Sequence, residues 1–104
     1  MLRRLPDTND ADLKQLAELR NLTRLGLLQT DVTGAGLKEL RGLKNLTWLD
    51  LNNTEITDAG LKELAEVKTL TTLYLINTKV TGAGVRELEQ ALPACRILGA
   101  GRGS

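Results

Sequence analysis

Two rhythms of apolar residues alternate along the chain. In Leu46-Thr47-Trp48-Leu49-Asp50-Leu51 the leucines settle on a period of two, the signature of a half-buried strand. From Thr57 onward the spacing changes. Leu61, Leu64 and Val67 fall three apart, which places them on one face of a helix. The alternation predicts strands near 23–27, 47–51, 71–75 and 95–98, and helices near 11–19, 35–43, 59–67 and 83–92. Thr33, Thr57 and Thr81 stand where the helices begin and can cap a free amide there. Asp58 follows in a first turn, and Lys44 and Lys68 end helices, each on the side that the helix dipole favours.

These patterns are copies of one another. Residues 21–44, 45–68 and 69–92 align without a gap at a period of 24. Residues 10–19 match the second half of a repeat, so 1–20 reads as a degenerate first copy with Leu2-Arg3-Arg4-Leu5 as its shortened first half. After Leu92, Pro93 blocks further helix, and Cys95-Arg96-Ile97-Leu98 reads as a last strand, closing a single domain over 1–98. Residues 99–104 are Gly-rich and are expected to form a flexible tail. One strand-plus-helix unit cannot bury its apolar face alone, whereas stacked copies share one continuous core. The strand-to-helix link makes consecutive strands parallel. Gly36, Gly60 and Gly84 recur at a helical position that disfavours glycine, and are expected where neighbouring turns approach too closely for a side chain.

The phrase LxxLxLxxTxVTxAGLKEL resembles the leucine-rich-repeat superfamily, in the subgroup similar to ribonuclease inhibitor and the repeat domains of F-box proteins. The TDAGLKEL stretch around Asp58 also resembles repeats common in bacterial proteins. The resemblance covers roughly residues 10–98 and implies an α/β solenoid with a curved parallel sheet on the concave side and helices on the convex side. Position nine of the repeat is Thr where many members have Asn or Cys. The resulting row, Thr30, Thr54 and Thr78, is expected to bond neighbouring loop backbone.

Composition narrows the function. The 23 leucines, one Trp, one Tyr and no Phe demand an aliphatic core. With no His, the usual general base and the commonest metal ligand are both missing, so the reading is a non-enzyme with no cofactor and no metal. The 14 basic and 13 acidic side chains almost cancel, which disfavours nucleic acid as the main partner. A single cysteine makes no internal disulfide, and Cys95 reads as a small core filler. Residues 1–7 carry two arginines but no apolar run, unlike a signal peptide, and no stretch is long enough to span a bilayer. Cytoplasm is the default expectation.

Strand alternation turns the leucines inward and the residues between them onto the open sheet face. Three rows result, with neighbours about 4.8 Å apart: Arg24, Trp48, Thr72 and Arg96; Gly26, Asp50, Tyr74 and Leu98; Leu28, Asn52 and Ile76. Both aromatic residues fall on this face, as do Leu28 and Ile76, where solvent would favour polar groups. Trp, Tyr and Arg are enriched at interface hot spots. The candidate binding residues are therefore Arg24, Leu28, Trp48, Asp50, Asn52, Tyr74, Ile76 and Arg96. The plainer reading is that Trp48 only covers the sheet and rests on Arg24 or Thr72. Asp50 beside Tyr74 has no His, second acid or nucleophile, so it suggests no catalysis. The leading expectation is a module that binds a protein partner through the concave face, with no small-molecule substrate. The alternatives are a self-associating unit, motivated by the thin cover that Leu2 and Leu5 offer the first strand, and a fragment of a larger repeat protein.

Overall fold

The computed structural model describes residues 10–16, 18–28 and 32–99. The expected half-repeat at Leu2 to Leu5, Thr30 of the threonine row, and tail residues 100–104 lie outside them. Along the chain come α1 (Asp10–Leu16), β1 (Arg24–Gly26), α2 (Gly34–Leu37), a 3-10 turn (Lys38–Gly42), β2 (Trp48–Asp50), α3 (Asp58–Leu64), β3 (Thr72–Leu75), α4 (Gly82–Ala91) and β4 (Arg96–Gly99). The strands form one parallel sheet in the order β1-β2-β3-β4. Its register repeats the sequence period, with Arg24 beside Trp48, Trp48 beside Thr72, and Thr72 beside Arg96.

The leucines point inward as alternation requires. Leu25, Leu27, Leu49, Leu51, Leu73 and Leu75 are fully buried, and Leu37, Leu40, Leu61 and Leu64 meet them from the helices. These side chains belong to one aliphatic cluster, which Val85, Leu88, Cys95 and Ile97 extend to the β4 end. At the β1 end Leu19 is 48% exposed, whereas Leu43 and Val67, at the same place in later repeats, are 1% and 3% exposed.

The second helix departs from expectation. Residues 35–43 were expected to be helical throughout, but α2 gives way to the tighter 3-10 turn, and Leu43 N–H donates to the Leu40 carbonyl, three residues back. The same three-residue bond recurs at the equivalent place in the flanking repeats, from Leu19 N–H to the Leu16 carbonyl and from Val67 N–H to the Leu64 carbonyl. Capping differs too. Thr57 sits at the α3 N-cap in extended geometry without a side-chain cap bond, while the Thr81 hydroxyl accepts from Gly84 N–H at 3.4 Å. Asp58 does more than face its own helix dipole. Its carboxylate accepts from Thr81 N–H at 2.8 Å and from the Thr81 hydroxyl at 2.6 Å, and so holds the start of the next helix.

Hydrogen bonds between residues 24 apart join the repeats. Thr47 hydroxyl donates to the Thr23 carbonyl at 3.2 Å, and Thr71 hydroxyl to the Thr47 carbonyl at 3.0 Å. Past the other end of the strands, Asn53 and Asn77 both adopt positive φ, 61° and 58°, which asparagine tolerates, and Asn77 Nδ2 donates to Asn53 Oδ1 at 2.7 Å. The expected row at position nine works within its own turn instead. Thr54 and Thr78 hydroxyls donate to the carbonyls of Leu51 and Leu75, three residues back.

Candidate functional site: the open face of the sheet

Because each strand buries its leucines, the residues between them are displayed together on the opposite face. Trp48 and Tyr74 lie on adjacent strands, one position diagonal to the other, with ring centroids 5.5 Å apart and planes at 60°. This is an edge-to-face pair, the arrangement that ring quadrupoles favour. The Arg24 guanidinium carbon sits 5.9 Å from the centre of the Trp48 ring, within cation–π range. Both rings are half-buried, so each is held by neighbours while part of its surface faces solvent. Ile76, just beyond the end of β3, is 51% exposed. Leu28 and Leu98 are half-buried, and Arg96 is exposed at the far end of the Trp48 row.

The two polar candidates in the middle of the face are committed to the backbone. Asp50 Oδ1 accepts from Asn52 N–H at 2.9 Å, and Asn52 Oδ1 accepts from Ile76 N–H at 2.7 Å. Asn52 thus belongs to the set of bonds that tie one repeat to the next. Sequence reasoning assigned it only a surface position. The adjacent asparagines Asn52 and Asn53 were the available signal, since asparagine side chains commonly satisfy local backbone in turns.

Two close approaches on the helix side matter for what this protein can hold. A β-carbon on Gly34 would come 2.8 Å from Gly60 Cα, and one on Gly84 would overlap the Asp58 carboxylate. The expected role of Gly60 and Gly84 is therefore visible, and Gly34 shares it. A groove of about 250 Å³ runs between α3 and α4 beside Asp58, Lys62 and Glu87. A shallower groove of about 450 Å³ lies along Glu18, Arg20 and Thr23 at the β1 end. No helix among the described residues is long and apolar enough to cross a membrane.

Parallel strands and outer helices recurring every 24 residues around stacked leucines define a leucine-rich-repeat fold. Solved structures bear this out. The chain is similar to the Chaetomium Mex67:Mtr2 subunits at 18% identity, with a TM-score of 0.71 over 86% of this chain and 69% of that one. It is similar to leiomodin-1 actin-binding site 2 at 19% identity, TM-score 0.64, over 94% of this chain and 66% of that one. A Leptospira interrogans leucine-rich-repeat protein superposes at 23% identity, TM-score 0.51, over 82% of this chain and 27% of that one. No family model and no curated protein matches the sequence.

Proposed function

We propose that this chain is a protein-binding module and that its contact surface is the open sheet face built on Trp48 and Tyr74. The observation that carries this reading is the edge-to-face pair at 5.5 Å, half-exposed, braced by Arg24 and continued by exposed Ile76. Aromatic rings held rigidly by neighbours lose little conformational freedom on binding, which is why such residues dominate interface energetics. The core does not depend on these rings, because the leucines of the same strands fill it. Leiomodin-1 actin-binding site 2, by its name a protein-binding segment, shares the fold. No cofactor, metal or catalytic constellation enters this reading.

A displayed random-peptide library selected on the immobilised protein tests it. Selected peptides should lose about 30-fold in affinity, or ~2 kcal/mol, on Trp48→Ala or Tyr74→Ala. They should bind unchanged to Lys62→Ser on the helix side. Peptides that bind both aromatic variants as well as the wild type would overturn the reading.

A further inference from the structure

We infer that the partner of this face is an extended acidic peptide segment carrying two carboxylates four residues apart around an apolar side chain. This rests on the proposed sheet-face function and specifies its partner. The row Arg24, Trp48, Thr72, Arg96 crosses all four strands in register. Its two ends are guanidinium groups, both exposed. Between them stands an aromatic surface, Trp48 backed by Tyr74 at 5.5 Å. The acid on this face, Asp50, has one carboxylate oxygen occupied by Asn52 N–H. The face is therefore cationic at both ends of one row and apolar at its centre.

The spacing sets the ligand. Three strand steps of about 4.8 Å separate the Arg24 and Arg96 backbones, roughly 14 Å in all, and the reach of the arginine side chains adjusts the rest. An extended peptide rises about 3.4 Å per residue, so four residues also cover roughly 14 Å. In an extended chain, residues i, i+2 and i+4 point to the same side. A Glu-Xaa-Leu-Xaa-Glu segment laid across the strands thus presents both carboxylates to the two arginines. Its leucine then comes down between Trp48 and Thr72, against Tyr74. The cation–π contact already holds Arg24 over Trp48, so little ordering is required at that end. A nucleic-acid strand would use the same arginines and rings. The apolar Ile76 and Leu98 beside them match the peptide's leucine and favour the peptide.

The test is a titration of the full chain, read by Trp48 fluorescence, with synthetic peptides containing Glu-Xaa-Leu-Xaa-Glu, Xaa being serine. The Glu probe should bind and perturb Trp48 emission. Arg24→Gln and Arg96→Gln should each weaken it by about fivefold, the upper end for one exposed ion pair. The double variant should weaken it by about 25-fold. A Gln-Xaa-Leu-Xaa-Gln probe, and one with the two acids three residues apart, should bind the wild type correspondingly less well. Equal binding of the Glu and Gln probes would overturn the inference, as would tighter, Arg24-dependent and Arg96-dependent binding of oligodeoxythymidine. If the probes fail while library-selected peptides still depend on Trp48, the acidic partner is wrong and the sheet-face function stands. If the selected peptides ignore Trp48 as well, both fall.

Discussion

The Cys95 thiol sits at the foot of β4, only 8% exposed, and burial pushes its pKa up to about 11. In the unfolded chain a thiol ionises near pH 8.5. The folded state thus holds its proton more tightly, and the stability tied to it is fully present below about pH 8.5. It is lost as pH rises toward 11. Wild-type stability in urea should fall across that window by about 1–2 kcal/mol more than that of Cys95→Ala, once solvent screening is allowed for. Parallel curves for the two proteins would show that the thiol is not held in its neutral form. The same scale shows what sequence could reveal of the site. Alternation placed Trp48 and Tyr74 as diagonal neighbours, and the rings touch. Alternation says which face a residue stands on, not what its side chain bonds. Asn52 is on the expected face, yet its amide oxygen turns along the sheet to Ile76 N–H.

At the scale of elements, the period of 24 predicted each strand and its register, because a repeat that stacks must bring equivalent residues together. It did not predict the pitch of the second helix, where a 3-10 turn follows the four residues of α2. Nor did it reveal that neighbouring helices are joined in two ways. Between α2 and α3, Gly34 and Gly60 bring backbones close together. Between α3 and α4, the Asp58 side chain fills the gap and grips Thr81. The sequence marks the difference at one place in the repeat, which is Gly34, Asp58 and Gly82 in turn. A double-mutant cycle tests the Asp58 bridge. Gly84→Ala adds a methyl group where the carboxylate lies, so Asp58 must leave Thr81, at a cost of about 1–2 kcal/mol in lost charge-assisted bonds. That offsets the ~1 kcal/mol that alanine gains over glycine in a helix. In an Asp58→Ala background the carboxylate is gone and only the β-carbon at position 58, 3.1 Å away, still crowds the added methyl, so the same substitution should cost less than it does in the wild type. Chemical denaturation of the four proteins should give a coupling of at least ~1 kcal/mol, and additive effects would remove the bridge.

For the whole molecule, one aliphatic cluster runs from α1 to β4. The absence of Phe, the abundance of Leu and the two rhythms made that core legible in the sequence. Leu49 stands in β2 with a strand on each side and is fully buried. Leu49→Ala should cost about 2–5 kcal/mol in equilibrium unfolding, because its cavity is walled by neighbouring repeats that cannot collapse into it independently. A cost below about 1 kcal/mol would reverse the inward assignment on which the surface rows depend. Trp48→Ala, one position away, should cost less, since it opens no cavity in the core.

The bonds at a spacing of 24 have a consequence for how such a chain can lengthen. Suppose residues 45–68 were copied in tandem. The new Thr47 would meet the carbonyl of the old Thr47, as Thr71 now does. The old Asn52 would meet a backbone amide at the place where it now meets that of Ile76. The old Asp58 would find Thr57 of the new unit, with Gly60 supplying the clearance that Gly84 provides now. Each seam would reuse chemistry already present, whereas an insertion of 23 or 25 residues would put every rung out of phase. Growth by whole units therefore requires no new recognition, and the residues on the open face remain free to vary from one unit to the next.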